Sequence, residues 1–247
     1  MTQTHWQQFF GPDYLFFSEV ILTPERTAYE IGQLLKLLEL PDGASLLDFG
    51  CGQGRLSVPL AARGLQVTAW DGSENLLEEA RRRAAEKGAE LDFVLGDMKE
   101  LSEENRFDAV INFGTAFGYN LSEDDDRAIL GKIFRALKPG GQFVIDTENR
   151  DLKVRQAGMQ AWYEMVGQPV WTSPTFDSVT GRWEETIRWY RDGEECRNVL
   201  NLRLYAATEL LAMLREAGFT IDGVYGGMDF SPLTPRSARM IVRGRKK

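Results

Sequence analysis

Histidine is almost missing from these 247 residues, and the single one, His5, stands near the N-terminus. Mechanisms built on an imidazole, such as Ser-His-Asp hydrolysis or His-rich metal catalysis, are disfavoured. Cysteine is nearly as scarce. Cys51 and Cys196 cannot make a disulfide framework or a four-thiolate zinc site, so no metal is expected and a reducing cytoplasmic compartment is the simplest one. Positive charge is also short: 29 Lys plus Arg face 37 Asp plus Glu, a formal net charge of −8. Nucleic acid and anionic membranes are captured by clustered Lys and Arg, so neither is an expected partner, and a cation is better suited. No apolar run approaches the ~18 residues of a membrane span, and Met1 to Trp6 lacks the basic-then-apolar order of an export signal.

What the chain does have is a rhythm. From Ser45 onward short apolar runs alternate with helical stretches, the pattern of a parallel sheet covered by helices. Strands are predicted at 45–49, 66–70, 91–95, 107–113 and 142–146. Helices are predicted at 55–62, kinked at Pro59, at 74–87 with Gly88 as its stop, and from Ser122 to the Pro139-Gly140-Gly141 break. Ahead of them Thr23 caps an amphipathic helix that has Pro24 at its first position and Ile31, Leu34, Leu35 and Leu38 on one face.

Between about Asp151 and Tyr205 the rhythm breaks. Two alternating segments flank Asp192-Gly193, a strong hairpin signal, with Trp183, Ile187 and Trp189 on one face and Leu200, Leu202 and Leu204 on the other strand. This reads as an antiparallel insertion packed on the parallel core. A helix at 208–217 and closing strands near 220–225 and 238–242 finish the chain.

The chemistry-bearing segment is Leu46-Leu47-Asp48-Phe49-Gly50-Cys51-Gly52-Gln53-Gly54-Arg55, a strand entering a glycine turn and then a helix. Its Gly-x-Gly-x-Gly spacing differs from the Gly-x-Gly-x-x-Gly of dinucleotide folds. Asp71, directly after the second strand, is placed to accept both hydroxyls of a ribose; the plain alternative is an Asp-Gly turn with Ser73 capping the next helix. After the third strand, Asp97 can accept an adenine amino group, with Met98 offering its backbone N–H and a polarisable side chain. Three successive strand ends thus put acidic residues and glycines on the carboxyl edge of the sheet, where open parallel sheets bind ligands. Cys51 has no neighbouring base to make it a nucleophile.

In these motifs the chain resembles the class I S-adenosylmethionine-dependent methyltransferases, in particular small bacterial ones with an antiparallel insertion after the fifth strand. Phe107-Asp108-Ala109-Val110, Leu137-Lys138-Pro139-Gly140-Gly141 and the run from Arg203 to Phe219 extend the likeness over nearly the whole chain. The resemblance implies an α/β Rossmann-like three-layer sandwich, with a seven-stranded, mostly parallel sheet whose last strand is antiparallel. It implies a single domain over 1–247, with a helical cap at 1–43, a cofactor core at 44–150, the insertion at 151–205 over the acceptor site, and a closing unit at 206–247. It also implies S-adenosyl-L-methionine as cofactor, with Gly50, Cys51 and Gly52 at its methionine part, Asp71 and Gly72 at the ribose, and Asp97 and Met98 at the adenine. Asn112 and Phe113 would lie under the ribose and sulfonium, while Tyr14 and Arg26 close over the amino-acid end. Asp48 is read as a buttress of the loop.

Methyl transfer from a sulfonium needs alignment more than proton transfer. A hydroxyl acceptor would gain from a base, for which Glu148 is the first choice and Tyr119, Tyr163 and Tyr205 are further candidates; a solvated carboxylate is the plain alternative for Glu148. The acceptor is expected to be a small molecule methylated on N or O, its choice set by the insertion, in a monomer or homodimer. Two alternatives remain open at this level: a nucleotide-sugar or nicotinamide oxidoreductase on a related fold, and a non-catalytic S-adenosylmethionine-binding protein.

Overall fold

The computed structural model describes residues 5–247. Three helices come first: α1 (His5–Phe9), α2 (Pro12–Ile21) and α3 (Pro24–Leu38). The sequence reading places a helical cap over 1–43 and the helix capped by Thr23, without locating the first two individually. Helix α3 starts where its cap predicts, with Thr23 Oγ1 accepting from the Arg26 N–H at 3.2 Å, and it buries Ile31, Leu34, Leu37 and Leu38.

The alternating core follows as β1 (Ser45–Phe49), α4 (Ser57–Ala61), β2 (Gln66–Asp71), α5 (Glu74–Lys87), β3 (Asp92–Leu95), β4 (Phe107–Asn112), α6 (Glu123–Ala136) and β5 (Leu137–Glu148). Helix α5 has the predicted bounds because both ends are specified: Ser73 Oγ accepts from Leu76 N, and Gly88 takes the left-handed φ of +60° that ends a helix cheaply. Two expectations need correcting. The helix predicted at 55–62 is a five-residue piece, since the glycine turns use up the chain as far as Leu56. Helix α6 stops at Ala136, ahead of the Pro-Gly-Gly break, and β5 begins there because Leu137 pairs with Phe107.

After α7 (Arg150–Lys153) come β6 (Ala161–Met165), β7 (Gln168–Asp177), β8 (Arg182–Arg191) and β9 (Glu194–Arg203), then α8 (Ala207–Glu216), β10 (Thr220–Tyr225) and β11 (Arg239–Arg245). The main sheet has the order β10-β11-β5-β4-β1-β2-β3. Every pair from β3 to β5 is parallel, and β11 runs antiparallel to both β5 and β10. This is the expected fold class, a Rossmann-like sandwich. Strands β6 to β9 form a second, wholly antiparallel sheet. The Asp192-Gly193 hairpin is present, with positive φ at both residues (53° and 84°), the twist that a two-residue hairpin requires.

Leu46, Leu47, Ala109, Ile111 and Val144 in the central strands are completely shielded, as expected for strands covered on both faces. The insertion has a small core of its own around Trp183, Leu202 and Leu204. Helices α1 and α2 bridge the two sheets. Ser73 Oγ donates to Phe10 O at 2.8 Å on the core side, and Asn198 Nδ2 donates to Phe9 O at 3.0 Å on the insertion side.

Candidate active site

Glycine makes the first wall. Gly50 has φ +88°, and a Cβ placed there would lie 2.6 Å from Ala116 Cβ and 2.8 Å from Met98 Cε, so neither the turn nor the packing admits a side chain. The turn is fastened to β2: the Gly50 and Cys51 N–H groups both donate to Trp70 O, and Gly52 N donates to Asp71 Oδ2 at 2.8 Å. Asp71 Oδ1 accepts from Ser73 N at 2.8 Å. Burial pushes the Asp71 carboxyl above its usual range, against these backbone donors. Below the loop, Asp48 is 2% exposed and takes the Ser57 hydroxyl at 2.5 Å; burial pushes its carboxyl up to about 6 despite that bond. The buried Cys51 thiol is likewise held well above the ordinary cysteine value by burial, with the Asp71 charge adding to it, so it stays protonated.

The second wall is the turn after β4. Thr115 has φ +65°, unusual for a β-branched residue, and it is held there from two sides. Its N–H donates to Asp146 O, while Arg239 Nη2 donates to Thr115 Oγ1 at 2.9 Å. Arg239 also makes a forked pair with Asp146 and reaches Glu148 Oε1 at 3.2 Å. Burial works against the guanidinium charge, but Asp146 and then Glu148 hold it above the usual arginine range. Glu148 Oε2 has no protein partner among the described residues.

The third wall is the inner face of the insertion, with Val170, Ile187, Trp189, Leu200 and Leu202 among its side chains. Helices α1 and α2 close the gap, Phe10 stacking edge-on to Tyr119 and Phe17 edge-on to Trp189. Trp6 lies against Gly72 so closely that a Cβ there would be 2.3 Å from the indole ring. Together the walls enclose one cavity of about 560 Å³, mainly apolar and within the size range of small-molecule sites.

This cavity brings together most of the residues singled out in the sequence. Gly50, Cys51, Gly52, Asp71, Gly72, Asp97 and Met98 border it on the sheet edge. Tyr14, Arg26, Phe113, Tyr119, Glu148 and Tyr163 border it elsewhere. Asp97 also caps a short 3₁₀ turn, accepting from Lys99 N at 2.8 Å. Two residues stand apart. Asn112 is 1% exposed and lies behind the wall, donating to Phe49 O at 2.6 Å, so it braces the loop from below. Tyr205 is turned away, its hydroxyl donating to the buried Asp126 at 2.7 Å. Burial keeps the Tyr119 phenol protonated, which makes it a donor and a poor base.

Thr115, Lys153, Glu185 and Arg239 also border the cavity and were not foreseen. Glu185 had a signal: it interrupts the apolar face that Trp183, Ile187 and Trp189 share. Arg239 had none, since only the antiparallel return of β11 beside β5 brings it to Asp146 and Glu148.

Residues 46–141 match the family described as a methyltransferase domain. The chain is 32% identical over 215 residues to the glycine/sarcosine N-methyltransferase of Aphanothece halophytica, covering 85% of this chain and 79% of that one. The protein belongs to the class I S-adenosylmethionine-dependent methyltransferases. Another similar methyltransferase is the ubiquinone biosynthesis O-methyltransferase of Paramagnetospirillum magneticum, 29% identical over 84% of this chain and 71% of that one. Among solved structures, an S-adenosylmethionine-dependent methyltransferase from Clostridium acetobutylicum superposes with a TM-score of 0.82 at 18% identity, over 95% and 96% of the two chains. Family membership retires the oxidoreductase alternative and makes the methyltransferase an enzyme.

Proposed function

We propose that this methyltransferase transfers a methyl group to a nitrogen or oxygen of a small molecule held in the hollow between the sheet edge and the insertion. One observation carries the reading. A single cavity joins the glycine loop and Asp71 to an apolar compartment roofed by β6 to β9. S-adenosylmethionine, when bound, supplies an electrophilic methyl on a positively charged sulfur.

The residues present fit that cofactor. Bare glycines at 50 and 52 leave room for a ligand to lie close against the loop backbone, and each oxygen of Asp71 accepts one backbone N–H and retains a lone pair for a ribose hydroxyl. In this reading Asp97 and Met98, which border the cavity, would meet the adenine edge, and Tyr14 and Arg26 would cover the amino-acid end. On the acceptor side, the apolar walls exclude water, and fixed walls orient the nucleophile, which is most of what a methyl displacement needs from a protein. Tyr119, kept protonated by burial, would offer its hydroxyl as a hydrogen-bond donor to the acceptor. Glu148, anchored at one oxygen by Arg239, keeps the other to receive a proton from a hydroxyl or amine.

Isothermal titration with S-adenosylmethionine tests the cofactor half: the wild type binds, and Asp71→Ala loses affinity by about tenfold or more, as expected when a charged hydrogen-bond partner is removed. Undiminished binding by the variant would refute the assignment. For the acceptor half, methyl-labelled cofactor and a whole-cell extract, fractionated by size after reaction, should give a labelled small molecule by mass spectrometry. Label confined to macromolecules would reject it.

A further inference from the structure

Strand β8 places Trp183, Glu185, Ile187 and Trp189 on its inward face, and Glu185 is the only carboxylate that the insertion's strands present to the cavity. Its two oxygens are treated differently. Oε2 accepts a hydrogen bond from Trp183 Nε1 at 3.1 Å and stands 3.8 Å from Lys153 Nζ, while Oε1 has no partner among the described residues. Lys153 is itself seated over the Trp183 ring, its Nζ 5.0 Å from the centroid. The Glu185 and Lys153 side chains are 16% and 21% exposed.

A half-buried pair in such a wall contributes little to stability, because desolvating both ions cancels most of their attraction. An aliphatic side chain would continue the strand's alternation and pack on Leu200 opposite it. Stability therefore does not explain the carboxylate. Its geometry describes a recognition group: one oxygen clamped, the other unpartnered, on a residue that borders the cavity together with Ile187, Leu200 and Leu202.

We propose that Glu185 anchors a cationic group of the acceptor, an ammonium or amidinium, and that this group is not the atom methylated. A protonated amine has no lone pair to attack a methyl, so an anchored cation requires a second, neutral nucleophile elsewhere on the same molecule. Placement agrees with this division, since the polar partners of Glu185 among the described residues are Trp183 of the insertion and Lys153 of α7, and none belongs to the glycine loop. The acceptor class is an apolar body carrying a cationic anchor at one site and a hydroxyl or amine nucleophile at another. Lys153 offsets part of the Glu185 charge and moderates the grip on the anchor. The excess of acidic residues favours the approach of such a cation.

The inference rests on the proposed acceptor compartment, and one experiment separates the two. Protein saturated with S-adenosylhomocysteine is titrated calorimetrically with octylamine, octanol and octanoate, which share a body and differ in head group. The wild type should prefer the amine by about tenfold, the size of one charge-assisted contact. Glu185→Gln, which keeps the shape and the acceptor for Trp183, should bring the ratio near one, and Lys153→Met should raise it. S-adenosylhomocysteine affinity and melting temperature should be the same in all three proteins. A wild type without amine preference, or a preference that survives Glu185→Gln, overturns the anchor while leaving the methyltransferase reading intact. A wild type that does not bind S-adenosylhomocysteine overturns both.

Discussion

Asp48 sets up a test in which pH is the perturbation. In the folded protein its carboxyl holds a proton up to about pH 6, against 3.8 for an ordinary aspartate. Between those values the folded state binds more protons than the unfolded chain, so stability contributed by this group falls as pH rises. The separation is about two pH units at about 1.4 kcal/mol each, so ionised Asp48 costs the fold about 3 kcal/mol above neutral pH. At about pH 5 the same linkage leaves roughly half of that cost, and well below the unfolded value none. The comparison is with Asp48→Asn, which keeps the volume, still accepts from Ser57 and never ionises. Urea unfolding of both proteins at about pH 7.5 and about pH 5 gives two stability differences, and any packing offset of the asparagine is common to both. The wild type should gain on the variant by about 1 to 1.5 kcal/mol on acidification. A difference that stays constant, or moves the other way, would refute the account of a carboxyl desolvated beneath the loop.

Two other substitutions follow from geometry already described. Gly50→Ala puts a side chain at φ +88° against Ala116 and Met98; the left-handed backbone and the overlap together should cost about 2–5 kcal/mol. Thermal melting checks this, and an unchanged transition would mean that the turn tolerates a side chain after all. Tyr205→Phe removes the donor to a fully buried Asp126 and should cost about 1.5–3 kcal/mol. Because the hydroxyl faces away from the cavity, S-adenosylmethionine affinity should stay at the wild-type value, and a drop in affinity would contradict that placement.

The parallel core was readable because its signals are local. A capping serine at 73, a stop glycine at 88, and apolar runs of strand length each act within a few residues. The same holds for the glycine loop and the Asp71 turn, whose conformational needs are written in the residues that satisfy them. Helices α1 and α2 were not located individually within the helical cap because their order comes from contacts made far along the chain, Phe9 with Asn198 and Phe17 with Trp189. Arg239 was invisible for a related reason: its partners lie some ninety residues earlier and meet it only across β11 and β5. Glu185 could have been found, since a charge on an otherwise apolar strand face is a local anomaly. Asn112 shows the reverse limit, because the end of a strand can be located from sequence while the side of the wall that its side chain serves cannot.

The contact between Trp6 and Gly72 gives the molecule an optical reporter. Of the six tryptophans, Trp70 and Trp183 are shielded, Trp162 and Trp171 face solvent, and Trp189 is buried in the insertion wall of the cavity, whereas Trp6 borders the cavity on the sheet-edge side, against Gly72 next to Asp71. Indole emission depends on what stacks against the ring and on how much water reaches it. A nucleoside settling beside Asp71, or any outward movement of α1, changes both for Trp6 first. Occupancy of this pocket is therefore open to unlabelled fluorescence, read from a residue that the missing side chain of Gly72 leaves room to sit there.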